Sequence, residues 1–212
     1  MAETQVTPWD EINVDETITE AEQAASNDLS ITTPVGRFLC TIVECGAVEK
    51  NFKNYSCYAA NLKMQIDSVI KIEQPILDKG QPIKRNGEII MKVQDIPADK
   101  LQGINALFAG RFIFDDINLF NPIEKEAMKN RRLFVAKRMR LISPTAKEIK
   151  TAAWAGAPGR KVIVETEHNV WEDKLTKELK KNVTVGWSGY DYAPDGDDQA
   201  DTSFNPDEFS DI

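Results

Sequence analysis

Val35-Gly36-Arg37-Phe38-Leu39-Cys40-Thr41-Ile42-Val43-Glu44-Cys45-Gly46-Ala47-Val48, with the run Tyr55–Ile72 behind it, decides the fold class. Both stretches are rich in β-branched and aromatic residues, which suit a pleated, half-buried surface. In the second, Tyr58, Ala60, Leu62, Met64 and Ile66 alternate onto one face, the period of a strand. The link Lys50-Asn51-Phe52-Lys53-Asn54 is short enough for a hairpin. Outward from this pair, Gln74–Ile90 carries the turn signals Gln74-Pro75, Lys79-Gly80 and Asn86-Gly87, so it reads as an inserted loop or small hairpin. Ala98–Phe108 has helical spacing through Leu101, Ile104 and Leu107 or Phe108, and Gly110–Phe120 alternates as a third strand.

Glu124–Arg140 reads as a helix with Met128, Leu133 and Val135 or Met139 inward. A second helix is predicted over Thr145–Trp154, capped near Ser143 and ended by Gly156. Lys161–Trp171 and Asn182–Tyr190 close the domain as strands. Val162, Val164, Thr166, His168 and Val170 share one face of the first, and Val183, Val185 and Trp187 one face of the second. The fold class is therefore mainly β with inserted helices. Five strands with helical material between the third and fourth is the order of an OB-fold, a small, partly open, OB-fold-like barrel. A β-sandwich is the alternative, but seven short, evenly spaced strands are not evident.

Charge divides the chain into three parts. Of its 212 residues, 28% are charged and 42% hydrophobic, and the net charge is −8. Residues 1–30 hold eight acids and no base, and residues 191–212 hold eight more and no base. The middle, 31–190, keeps all 26 bases against the remaining 18 acids, so a basic domain lies between two acidic segments. Both segments are polar and predicted to be disordered, apart from a capping-box-like Thr19–Ala25. No run of 18 apolar residues occurs, which argues against a membrane-spanning helix, and the basic-poor N-terminus does not read as a signal peptide. Three cysteines (Cys40, Cys45, Cys57) and one histidine fit neither a disulfide framework nor a structural zinc site; a reducing, cytosolic setting fits best.

Chemistry-bearing constellations point to binding. Asp115 and Asp116 are strand neighbours and face opposite ways, so they cannot share one metal ion. Glu165 and Glu167 face away from His168, which aligns with Val164 and Val170 and reads as packed. Gly156-Ala157-Pro158-Gly159-Arg160-Lys161 lacks the spacing of a phosphate cradle, and no Gly-x-Ser-x-Gly occurs. No catalytic constellation, and no cofactor, is therefore expected. The segment from Lys125 to Lys161 holds eleven bases against two acids, as a polyanion groove would require. Its Arg131, Arg132, Lys137, Arg138, Arg140 and Lys161, with Lys50, Lys53, Lys63 and Arg111 on or beside strands, are the candidate phosphate ligands. Phe52, Tyr55 and Trp171 are the candidate base-stacking platforms, with Tyr190 at the end of the last strand as a further one. Trp187, in line with Val183 and Val185, reads as core, and Trp154 as either.

A resemblance rests on Ala109-Gly110-Arg111-Phe112-Ile113-Phe114-Asp115, on Ile117-Asn118-Leu119, and on Gly159-Arg160-Lys161-Val162-Ile163-Val164-Glu165. These segments, with the acidic C-terminus and its apolar tip, are similar to a bacteriophage family, often described as a domain of unknown function, that resembles OB-fold single-stranded DNA-binding proteins. The resemblance covers about 35–190 and the tail. It implies a non-enzymatic protein that coats single-stranded DNA in replication, recombination or repair, in the cytoplasm of the infected bacterial host. It further implies that the tail competes with DNA and docks replication or recombination proteins. Phe204, Asp207, Glu208, Phe209, Asp211 and Ile212 are the candidate docking residues, although the tip ends in Ile212 and not in Phe. The other readings are an acidic-tailed scaffold or inhibitor that binds protein, and a nuclease using Asp115. Oligomeric state stays open.

Overall fold

A computed structural model describes residues 34–174 and 176–194. The arm 1–30 and the docking positions Phe204, Asp207, Glu208, Phe209, Asp211 and Ile212 lie outside the described residues. The opening hairpin forms where its alternation placed it: β1 (Gly36–Asn51) pairs antiparallel with β2 (Ser56–Pro75) from Gly36↔Ile72 to Asn51↔Ser56. Phe38, Cys40 and Ile42 from β1 meet Leu62, Met64 and Ile66 from β2 in the core. Tyr58, expected on that buried face, is instead 44% exposed. Register shifts interrupt the pairing at Arg37/Phe38, Leu39/Cys40 and Ile42/Glu44. Such bulges bend a strand and raise its twist, which coils this long hairpin.

The insertion folds as two two-stranded ribbons, β3 (Leu77–Asp78) with β4 (Gln81–Pro82), and β5 (Lys84–Arg85) with β6 (Glu88–Ile89). Asn86 and Gly87 both take positive φ in the second turn, as the Asn-Gly signal requires. A further strand, β7 (Met91–Asp95), follows and pairs with Lys71–Pro75 of β2. Next comes α1 (Ala98–Phe108), which buries Ile104 and Leu107 but leaves Leu101 exposed. β8 (Phe112–Phe120) then pairs with Tyr58–Gln65, so β7 and β8 share one edge of β2.

The second helix of the sheet domain, α2 (Glu126–Arg138), is seated in an unusual way. Only Val135 and Ala136 of its residues are buried; Met139, just beyond it, is also core. Leu133 and Met128 stay partly exposed. The helix predicted at Thr145–Trp154 is not formed. A short 3-10 turn, Thr151–Gly156, takes its place and buries Trp154. An isolated ten-residue segment is too short to hold a helix by propensity alone. Here Trp154 is the one fully buried anchor, and Ile149 packs against the core only in part.

β9 (Lys161–Glu172) and β10 (Leu179–Tyr192) complete the sheet, in the order β10-β9-β1-β2-β7 with β8 also on β2. β10 runs into the segment assigned to the tail, so Asp191 belongs to the sheet. The architecture is mainly β, as expected, but the sheet has six strands and is open. No backbone ladder joins β8 to β10 among the described residues, so the sheet is open and not a closed barrel, and it carries a sixth strand, β7, beyond the five expected. Side chains span the gap instead, as described below.

Candidate nucleic-acid interface

The turn between β1 and β2 is closed by a Phe52 N–H to Tyr55 carbonyl hydrogen bond of 2.8 Å. That tight turn stacks the two rings, 4.9 Å apart at 23°. Phe52 stays 52% exposed. Lys50, at the end of β1, reaches across the sheet to Asp116. Next to this turn lies a cleft of about 250 Å³, floored by Cys57, Ala59, Ile117 and Asn118 and walled by Met128, Arg131 and Arg132 of α2. Trp187 of β10 stands on its rim.

Trp187 is 55% exposed, not core. The pairing of β10 with β9 is broken between Val185 and Tyr190, so Gly186-Trp187-Ser188-Gly189 forms an irregular bulge. A Cβ at Gly189 would lie 2.4 Å from the Glu165 carbonyl oxygen, a close approach that only glycine tolerates. The bulge resets the alternation. Trp187 turns out, while Tyr190, expected as a platform, turns in and is buried. Tyr190 donates its hydroxyl to Asp115 at 2.7 Å. Burial, helped by Asp115, holds that phenol well above its ordinary value.

Arg131 clasps the open side of the sheet. Its Nε donates to the Trp187 carbonyl (3.2 Å), Nη1 to the Asp116 carbonyl (3.3 Å), and Nη2 to Asp115 (2.7 Å). Its guanidinium also lies 5.1 Å from the centre of the Trp187 ring. The Arg131 and Asp115 side chains are 11% and 14% exposed, so this is a nearly buried ion pair. Burial pushes the Asp115 carboxyl above its usual range despite Arg131 and Tyr190. Asp116 faces the other way, as strand alternation requires. Burial opposes its charge, but Lys50 and Asn61 hold its carboxyl below the usual range.

Arg132 is likewise engaged, with Glu124 at 2.7 Å and the carbonyls of Asn118 and Leu119 at 3.1 and 2.6 Å. These two arginines were expected as phosphate ligands; the structure uses them to fasten α2 to β8 and β10. Arg138 pairs with Asp191 (3.5 Å) and lies over Phe134 and Tyr192. Arg140 donates to the Ala193 carbonyl. The backbone N–H of Tyr192, with Arg37 and Arg138, holds the Asp191 carboxyl below its usual range. Lys63 pairs with Glu44 and covers Phe112; Arg111 stacks on Phe108, and burial lowers its pKa. Lys161 begins β9, and Lys137 sits half-buried on α2.

The structure thus brings Lys50, Phe52, Tyr55, Arg131 and Arg132 to one cleft. Trp171, 41% exposed near the far end of β9, does not line it. His168, predicted to be packed, is exposed and its Nε2 lies 2.8 Å from Glu73 Oε2. Phe112, Phe114 and Phe120 project from the outer face of β8 at 40%, 59% and 59% exposure, with Tyr58 paired opposite Phe120. The sequence reading did not assign these four or Trp187 to a site. Matched against models of known protein families and against curated proteins, the chain finds no counterpart.

Proposed function

We propose that the protein binds and coats single-stranded DNA, largely without sequence preference, in phage replication, recombination or repair within the host cytoplasm. The observation that carries the reading is the convergence of Phe52, Tyr55 and Trp187 on one cleft, with exposed phenylalanines on β8 beside it. Stacking on such rings tolerates every base. An OB-like reading of the sheet draws support from the order β8-β2-β1-β9-β10, whose outer strands approach through Arg131 and the Tyr190–Asp115 bond. In this reading the acidic tail competes with DNA and docks replication or recombination proteins.

The test is a titration of labelled oligo-dT against duplex and RNA competitors over a salt series. Lys53, in the turn, and Lys125, at the start of α2, have no carboxylate partner among the described residues. With about two phosphates neutralised, log K against log salt should slope near −1.4. Truncation after Pro194 should tighten binding most at low salt, where screening is weakest. Absence of binding to oligo-dT at low salt, or equal competition by duplex, would refute the proposal.

A further inference from the structure

We infer that the two ribbons inserted between β2 and β7 form a second contact for the phosphodiester backbone, where Lys79, Lys84, Arg85 and Lys92 hold a bound single strand beyond the cleft. This rests on the single-strand reading above and adds a place to it. The insertion is built on a seven-residue repeat: Gln74-Pro75-Ile76 recurs as Gln81-Pro82-Ile83, and Ile90 stands seven residues further on. The three isoleucines close a ring of backbone hydrogen bonds. Ile83 donates to the Ile76 carbonyl at 2.8 Å, Ile90 to that of Ile83 at 2.9 Å, and Ile76 to that of Ile90 at 2.9 Å. Three ladders therefore meet at one point: β2 with β7, β3 with β4, and β5 with β6. A two-stranded ribbon is marginal on its own in water, and the ring ties both ribbons to the end of the sheet.

What this junction holds out is charge. Lys79 sits in the first turn, Lys84 and Arg85 lead into the second, Lys92 follows on β7, and all four are exposed. Between Asp78 and Lys92 these four bases face two acids, Asp78 and Glu88. None of the four has an ion-pair partner among the described residues, although Arg85 stands opposite Glu88 in the register. The cleft differs, because Lys50, Arg131 and Arg132 are held there by Asp116, Asp115 and Glu124. Cations that the fold leaves unpaired are free to neutralise phosphates and release their counterions. Lys79 adds a backbone argument. It takes a φ of 50°, a left-handed conformation that the sister turn gives to Asn86, a residue more at ease there. The two places share one strand: Cys57 and Ala59 of β2 floor the cleft, and Pro75 leads into the junction. At about 3.3 Å per residue they lie at most about 55 Å apart, so only a long strand reaches both.

The experiment measures full-length wild type and a variant carrying Lys79→Gln, Lys84→Gln, Arg85→Gln and Lys92→Gln together. Each is titrated over a salt series with oligo-dT of about 6 and about 30 nucleotides, since OB-type sites cover roughly 4–16. All four side chains are exposed, so the variant should melt with wild type. On the short strand both proteins should show the slope near −1.4. On the long strand wild type should be steeper by about 0.7 for each cation that meets a phosphate, up to about 2.8 for all four. The variant should fall back to the short-strand slope. Lysine acetylation mapped by mass spectrometry locates the contact: the long strand should shield Lys79, Lys84 and Lys92 in wild type, and the short one should not. Equal wild-type slopes on the two strands, an unchanged slope in the variant, or no shielding of these lysines overturns the ribbon contact and leaves single-strand binding standing. If wild type binds neither strand, the functional reading itself fails and the contact with it. Should the variant melt early, the wild-type shielding pattern decides.

Discussion

Trp187 and Trp154 make a matched pair for testing which rings hold the fold and which face a ligand. Trp187 is 55% exposed and Trp154 only 3%. A fully buried aromatic side chain hides about 150–250 Å². Trp187 hides roughly half of that, which at about 25 cal/mol per Å² puts the stability lost in Trp187→Ala at about 2–3 kcal/mol. Loss of the Arg131 contact adds about 0.5–1 kcal/mol. Trp154→Ala should cost about 3–5 kcal/mol, as large-to-small core changes do. For a domain of this size each kcal/mol moves Tm by roughly 2–4 °C, so the two variants should separate in a circular-dichroism melt. Their order on DNA should be reversed. Trp187→Ala should lose about 1–3 kcal/mol of binding to oligo-dT by anisotropy, the value of one stacked base. Trp154→Ala, measured well below its melting temperature, should bind as wild type does. The reasoning is refuted if Trp187→Ala melts as early as Trp154→Ala, or binds oligo-dT within twofold of wild type.

Tyr190→Phe should lower stability by about 1–3 kcal/mol in chemical denaturation, because Asp115 loses a buried donor. Gly189→Ala should cost about 1–3 kcal/mol of overpacking in a thermal melt and weaken DNA binding, since the bulge that presents Trp187 must shift. Asp191→Asn should flatten the acid limb of the stability curve. Its carboxyl titrates below the unfolded value in the fold, so the stabilisation is present above about pH 4 and disappears as pH falls through the folded pKa. The side chain is 44% exposed, so urea titrations across the acid range should find less than about 1 kcal/mol.

Period-two alternation made the hairpin, β8 and β9 legible, and helical spacing did the same for α1. It failed where the backbone changes phase. Counting from Val183 and Val185 through Gly186 and Gly189 places Trp187 inside and Tyr190 outside, whereas the bulge reverses both. The two glycines carried the signal, because isolated glycines in a strand often mark a bulge. β7 was missed because five residues with weak alternation do not declare a strand. Its place is set by β2, which runs past the end of β8 and leaves Lys71–Pro75 an open edge. In β8 the aliphatic set Ile113, Ile117 and Leu119 faces the core, so the alternate Phe112, Phe114 and Phe120 had to face out. That inference was available from the sequence.

The charge pattern misled for a different reason. A window from Lys125 to Lys161 counts bases against the acids inside it, but ion pairs form across the fold. Asp115, Glu124 and Asp191 all lie outside that window, and each meets one of its arginines. Arg131 and Arg132 spend their remaining hydrogens on the carbonyls of Asp116, Trp187, Asn118 and Leu119. Freeing either arginine for a phosphate would leave a nearly buried carboxylate unpaired, a cost that commonly exceeds the gain at a surface phosphate. Phosphate contacts should therefore fall to lysines such as Lys53, in the β1–β2 turn, and Lys125, at the start of α2. The arginines hold the floor and the Trp187 rim in place. If the protein binds single strands as proposed, charge brings the strand to it and the rings keep it there. Binding should then retain a substantial part of its free energy in high salt, where counterion release contributes little.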